Sequence, residues 1–330
     1  MKKTLIILLL LLNFSGYSQS SETGKKVVWN GYTQLRATSN FDDYSSVMVR
    51  RLKFWLKSTP EFSEHWSYKI QGVFTSKMLE QFFLQDVKIS YKTGQFSFDF
   101  GQFVPTYSLE WTQPDYRIPT LERAKVINVL HTDGSLGVRD LGVQLNYRSK
   151  DKILETHLGV FNGYGIKQYR YHNSGFMMSH KTAYNIFFNH QTVQLGYSVQ
   201  YRKADKIKIP KVLPDSVYYT GNDVRYNLFA QYKSKQFQLQ AEYLNAYLND
   251  DFAYGYYILS AYHWKKNQIV ASYEFYKDLI KEPHYPYYHL GYNYLINQNK
   301  IKLFLDNTFQ VIDGKIANYT AGIQLQFFFN

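Results

Sequence analysis

The feature that most constrains this chain is a two-residue alternation of apolar and polar side chains. It recurs in about sixteen separate runs. Near the C-terminus Tyr319, Ala321, Ile323, Leu325, Phe327 and Phe329 alternate with Asn318, Thr320, Gly322, Gln324 and Gln326. The same pattern returns at Val193, Leu195, Tyr197, Val199 and Tyr201, and again at Val224, Tyr226, Leu228, Ala230 and Tyr232. Phe96, Phe98 and Phe100 oppose Ser97 and Asp99, while Met48, Leu52, Phe54 and Leu56 oppose Arg51, Lys53 and Lys57. A period of two belongs to strands with differently solvated faces, not to helices. Each run is close to the ~9–11 residues with which a tilted strand crosses a bilayer.

The two faces distinguish a membrane barrel from a soluble sandwich. A sandwich buries Val, Leu and Ile between its sheets. Here the apolar face is rich in aromatics, with 32 Tyr, 24 Phe and 5 Trp in 330 residues. The opposite face carries Gln, Asn, Lys and Arg in nearly every strand. A dry core cannot take that many polar groups without partners, whereas a wet lumen can. Short polar turns at 92–95, 149–152, 189–191, 233–236, 265–267 and 297–300 alternate with longer connections, of which 101–136 is the longest. The expected fold is therefore all-β: a transmembrane antiparallel β-barrel of about 16 strands, with both termini on the periplasmic side. Counting strands makes 101–136 the third external loop.

Met1, Lys2 and Lys3 precede an unbroken apolar run, Leu5 to Leu12, and then the small residues Ser15, Gly16 and Ser18. This order is expected to be a signal peptide over 1–18, with cleavage as late as residue 20 as the other candidate. One domain, 19–330, follows. Removing 1–18 takes away two Lys and no acid, which lowers the formal charge from +12 to +10. The chain is thus expected to be exported to the outer membrane of a Gram-negative bacterium. Its partners there would be outer-membrane lipid and lipopolysaccharide, not nucleic acid.

The absence of Cys excludes disulfides, thiol catalysis and Cys-based metal sites. The nine His show no metal-ligand spacing, and no nucleophile elbow or phosphate-cradling loop is present. No enzyme, cofactor or metal centre is expected. Strand parity instead sends cations inward: Arg36, Arg51, Lys53, Lys57, Lys69, Lys88, Arg148, Lys152, Arg202, Arg225 and Lys233. Asp86, Asp99 and Glu242 are the clearest facing acids. A tube lined by one sign of charge gathers counter-ions, and rings of Lys and Arg favour anions. Arg50 has the opposite parity and is expected to reach the outer interface. In the long loop, Arg123 and Lys125 would point into the constriction. Glu110 and Glu122 would anchor the loop to cationic wall, with Arg51 the first candidate partner. The alternative is that the loop charges pair among themselves. The candidate anion path is Arg36, Arg51, Lys53, Lys69, Asp86, Lys88, Arg123, Lys125 and Arg225.

Several stretches resemble the phosphate-selective porin O and P family. They are Gly31-Tyr32-Thr33-Gln34, Val49-Arg50-Arg51-Leu52, Gly101-Gln102-Phe103, Pro105, Ser108-Leu109-Glu110 and Leu121-Glu122-Arg123. Asp140 to Leu145, Gly159 to Gly163 and Leu290 to Asn297 continue the match in order. The resemblance implies a sixteen-stranded barrel, commonly a homotrimer, whose third external loop folds inward to narrow the channel. It implies passage of small anionic solutes, with phosphate or polyphosphate among them. Phosphate-binding members carry Arg after the first-strand Gly and Lys after the loop Glu, where this chain has Tyr32 and Trp111. Asp86 and Arg123 match. The alternative function is a non-conducting structural or adhesive barrel, or a transporter of hydrophobic substrates; aromatics lining the lumen would favour it.

Overall fold

The computed structural model describes residues 27–76, 81–131, 138–165, 176–209, 212–280 and 284–329. The signal-peptide expectation, over residues 1–18 or 1–20, lies outside them.

Sixteen antiparallel strands close on themselves. In chain order they are β1 (Val28–Ser39), β2 (Ser45–Ser58), β3 (Trp66–Thr75), β4 (Gln81–Thr93), β5 (Phe96–Phe103), β6 (Asp140–Arg148), β7 (Leu154–Phe161) and β8 (Met177–Phe188). The second half is β9 (Gln191–Ile207), β10 (Tyr219–Lys233), β11 (Phe237–Leu248), β12 (Asp251–Trp264), β13 (Asn267–Lys277), β14 (Tyr287–Asn297), β15 (Ile301–Ile312) and β16 (Lys315–Phe329). Each strand pairs with its sequence neighbours, and β1 pairs with β16 from Gly31↔Phe329 to Ser39↔Ala321. Closure leaves no edge strand, so every ladder hydrogen bond is made within the wall.

The alternation read from the sequence is the alternation of the wall. Ile323, Leu325, Phe327 and Phe329 stand exposed on the outside, while Gln324 and Gln326 are buried inside. Phe96, Phe98 and Phe100 likewise face out and Asp99 in. Exposed aromatics gather at both ends of the outer face. Phe96, Tyr262, Trp264 and Tyr294 lie near the short turns, and Tyr44, Tyr218, Tyr226 and Tyr247 near the other end. Such rings suit the two polar–apolar boundaries of a bilayer.

Short turns crowd one end, as the sequence predicts. At the other end the connections are mixed: 104–139 is long, but β11–β12 and β15–β16 are joined through Asn249-Asp250 and Asp313-Gly314. Asn249, Asp313 and Gly314 have positive φ, as tight hairpins require.

Two irregularities re-aim side chains. The β1–β2 register passes from Gln34↔Arg51 to Leu35↔Val49, leaving Arg50 as an extra residue. The β3–β4 register passes from Gln71↔Asp86 to Gly72↔Leu84, leaving Gln85 extra. A bulge breaks strict alternation, so Gln85 and Asp86 are both buried on the lumen side. Arg50 is corrected by the same device: it turns inward with Arg51 instead of reaching the outer interface.

Candidate functional site: the lumen and its loop

The described parts of the β5–β6 connection, 104–131 and 138–139, lie inside the barrel against the strand wall. Its described residues include a 3-10 turn (Asp115–Arg117) and a short helix, α1 (Lys125–Leu130). An irregular segment there must find partners for its backbone groups, and inward side chains of the wall supply them. Glu242 accepts the N–H groups of Leu109 and Glu110 at 2.8 and 2.6 Å. Glu274 accepts those of Lys125 and Val126 at the start of α1, where a negative charge suits the exposed amides. Asp306 accepts Leu121 N–H at 2.9 Å. Lys181, Lys302 and Asn293 donate to the carbonyls of Ser108, Ile118 and Pro119.

The loop's apolar side packs on β9–β13. Val126, Ile127, Val129 and Leu130 join Leu244, Ala246, Ala253, Tyr257, Leu259, Ala261 and Val270 in one buried cluster. Two glycines permit the close approach. A Cβ on Gly255 would stand 2.4 Å from Val126 Cγ2, and one on Gly322 would stand 2.4 Å from Leu121 Cδ1. The loop therefore fills one side of the lumen.

The other side stays open as a cavity of about 1160 Å³, walled by β1–β7 and by the loop's polar face. Its lining contains the eight cations Arg50, Arg51, Lys53, Lys57, Lys69, Lys88, Arg123 and Arg139, against the four acids Asp86, Asp99, Asp115 and Glu122. The excess is four positive charges. Lys57, Lys69 and Lys88 are register neighbours on β2, β3 and β4 and form a cationic row across the wall. A smaller cavity of about 400 Å³ adjoins it through Thr106, Thr112, Gln113 and His157 and is also lined by Lys181 and Lys233.

Loop and cationic wall meet at two acids. Asp115 takes Arg51, Lys53 and Arg123 at 2.7, 2.5 and 2.7 Å. Burial alone would raise its pKa, but those three cations hold it well below the usual carboxylate range. Glu122 takes both Nε and Nη2 of Arg50, at 2.7 and 2.8 Å, and Nη1 of Arg36 at 2.6 Å. Arg50 and Arg36 likewise outweigh burial and depress its pKa. Along the wall, Asp86 is shared by Lys69 and Arg139, and Asp99 by Lys88. Below Asp115, Tyr32, Trp55, Tyr116 and Phe328 form an aromatic group inside the barrel.

Six of the nine residues named from the sequence for the anion path line the open cavity: Arg51, Lys53, Lys69, Asp86, Lys88 and Arg123. The other three are corrected. Arg36 is buried and clips the loop, donating to Leu121 O and Glu122. Arg225 is fully buried, ion-paired with Asp223 at 2.7 Å, and donates to Leu130 O at the end of α1. Lys125 stands 3.1 Å from the centre of the Tyr287 ring, away from the cavity. Of the two expected loop anchors, Glu122 reaches wall arginines, although Arg51 itself goes to Asp115. Glu110 does not reach a wall cation. It accepts Ala124 N–H at 3.0 Å within the loop, and the wall acid Glu242 accepts its own N–H.

A family model described as phosphate-selective porin O and P matches residues 23–323. The chain belongs to that porin family. Solved structures share the fold at low identity. OmpF of Salmonella typhi, in complex with daunomycin, has a TM-score of 0.67 and 14% identity, over 94% of this chain and 99% of that one. OmpT of Vibrio cholerae, an outer-membrane protein in its trimer form, has 0.65 and 12%, over 93% and 100%. OprB of Pseudomonas putida, in a high-pH structure, has 0.64 and 11%, over 93% and 95%. A search of curated proteins finds no significant match. Family and fold together make this porin an outer-membrane channel protein.

The expected alternative, pairing among the loop charges, is realised between Asp115 and Arg123, whereas sequence reasoning missed Arg139, the inward turn of Arg50 and the wall partners of Asp115. Arg202 and Asp223 occupy opposed register positions, and Asp223 and Arg225 share one face of β10. That spacing was available as a sign that Arg225 is neutralised.

Proposed function

We propose that this porin is a passive channel through the outer membrane for small anionic solutes. The carrying observation is the charge of the open cavity, eight cations against four acids on one continuous lining. In a narrow tube with low-dielectric walls, that excess raises the local anion concentration. Spreading it over β2, β3, β4 and the loop gives several weak stations instead of one trap, as conduction requires. The third external loop sets the constriction, because its polar face forms one side of the open cavity.

Phosphate is one anion within this reading, not its defining solute. Tyr32 and Trp111 stand where phosphate-binding members carry cations, and in this chain Tyr32 packs in the aromatic group while Trp111 lies under Arg123 at 5.0 Å. The same reading includes homotrimer assembly, in keeping with the family and with the trimer form of the Vibrio relative.

The test is a planar-bilayer recording of the folded protein in a salt gradient. Stable conductance steps with a reversal potential favouring the anion are expected. Cation preference would reject the charge argument. A folded barrel with no conductance would favour the structural or hydrophobic-substrate reading, to which the lumenal aromatic group lends its one supporting observation.

A further inference from the structure

Asp115 sits in a ring of donors that satisfies both of its oxygens. Oδ2 takes Lys53 Nζ at 2.5 Å, Arg51 Nη1 at 2.7 Å and the Tyr32 hydroxyl at 3.4 Å. Oδ1 takes Arg123 Nη2 at 2.7 Å. All five residues line the open cavity. The acid is the most exposed of the charged partners, its side chain 20% accessible against 13, 9 and 9% for Arg51, Lys53 and Arg123. The carboxylate and its cations thus share the cavity wall, with the carboxylate the more open of them.

Arg123 is held independently of the acid, and the other donors are anchored through the backbone of the wall. Tyr32, Arg51 and Lys53 stand on the wall strands β1 and β2. Arg123 donates to the carbonyls of Glu110 and Gln113 and rests on the Trp111 ring. A preorganised set of donors loses little entropy on meeting a ligand, which separates a binding site from a chance ion pair. Three cations on one acid leave two positive charges over, so the set attracts anions even with Asp115 in place. Loop attachment does not hang on this contact alone, since Glu122, Glu242, Glu274 and Asp306 all bond other parts of the segment.

We propose that Tyr32, Arg51, Lys53 and Arg123 form a carboxylate-binding site on the permeation path, that Asp115 fills it as a tethered stand-in, and that monocarboxylate solutes exchange with Asp115 as they pass. This deepens the anion-channel reading and rests on it, naming carboxylates as the favoured solute class. The tether explains how a strong donor set avoids trapping its solute. A linked carboxylate competes at high effective concentration, so a free one binds weakly and leaves quickly.

The test uses the full barrel folded in detergent, titrated calorimetrically with sodium acetate, and the same protein in bilayers, where acetate is added against chloride current. Asp115→Ala vacates a volume that acetate refills. Asp115→Asn removes the charge but keeps the volume occupied. Acetate is expected to bind D115A about tenfold or more tighter than wild type, the factor by which a tethered competitor suppresses a free ligand. D115N is expected to show no comparable gain. Equal gains in both variants would mean that only general charge had changed, and would overturn the proposal, as would no gain in D115A. If D115A does not refold in chloride alone, refolding restored by acetate supports the site, and refolding still absent in acetate overturns it. Acetate binding by a wild-type barrel that conducts nothing would sink the channel reading and keep the site. An anion-selective channel whose D115A variant gains no acetate affinity would do the reverse.

Discussion

The two halves of the lumen are built from the same alternating strands and differ only in which side chains point inward. On β9–β13 the inward positions near the loop include Ala204, Leu244, Ala246, Ala253, Leu259, Ala261 and Val270. They make a low apolar surface on which Val126, Ile127, Val129 and Leu130 pack. On β2–β4 the inward positions include Arg51, Lys53, Lys57, Lys69 and Lys88. These are long and charged; among the described residues Arg51 and Lys53 meet the loop at Asp115, while their neighbours Arg36 and Arg50 meet it at Glu122. The loop is therefore packed against one wall by burial and tied to the other only at ion-paired acids, with the remaining cations left facing the opening. Where it lies, and so where the opening lies, follows from side-chain choice and not from strand geometry.

The comparison breaks most directly at the apolar contact. Ile127 is fully buried within the packed side. Ile127→Asp places an unpaired carboxylate there, at a cost on the order of 3–5 kcal/mol. The loop should leave the β9–β13 wall, and single-channel conductance should rise severalfold while anion preference falls. An unchanged conductance would mean that apolar packing does not place the loop.

The open side gives the next largest effect. Lys69→Gln removes the middle of the lysine row, and Arg123→Ala removes a cation that lines the cavity. Each should move the reversal potential toward zero. Lys152→Ala should not, because Lys152 is exposed on the β6–β7 turn and outside the cavity lining. Equal shifts from Arg123→Ala and Lys152→Ala would show that the loop does not form the narrow section.

These sites were unequally legible in the sequence. The barrel and its strand count could be read because period-two patterning is local and recurs in every strand. Lys53, Lys69 and Lys88 could be read from parity for the same reason. Arg50 could not: one extra residue in β2 reverses parity beyond it, and an alternation pattern does not show which residue a bulge absorbs. Arg225 had the right parity, but parity does not reveal that Asp223 neutralises it or that α1 covers it. Asp115 joins Tyr32, Arg51, Lys53 and Arg123 across 83 to 8 residues of chain, and nothing at the level of spacing connects them.

Arg36→Ala should have a smaller effect than these, because Arg50 retains Glu122. It removes the hydrogen bond to Leu121 O and one partner of Glu122, a loss on the order of 1.5–3 kcal/mol for charge-assisted bonds. Open-channel current noise should increase with little change in mean conductance. Noise equal to wild type would assign the hold on the loop's 121–122 stretch to Arg50 and Asp306 alone.

The smallest effect lies inside the loop, where a carboxyl distinguishes the packed side from the open one. Glu110 is fully buried, and burial, reinforced by neighbouring Glu242 and opposed by Arg123, pushes its pKa up to about 8. Its Oε1 has no hydrogen-bond partner among the described residues. Between the ordinary carboxylate pKa and about 8 the folded chain keeps a proton that the unfolded chain releases. Stability therefore falls as pH rises through that window, by up to about 1.4 kcal/mol per pH unit, and the loss is complete above it. Asp115 and Glu122 have the opposite sign: their contribution is fully present above the carboxylate range and is lost only on strong acidification, so they add no slope here. Glu110→Gln keeps an acceptor for Ala124 N–H and has no proton to lose. Its urea midpoint should change less between pH 5 and pH 9 than that of the wild-type protein, with the larger gap between the two at pH 9. Parallel pH profiles would place the ionised form of Glu110 comfortably in the loop and remove this difference between the acid on the packed side and the acids on the cationic one.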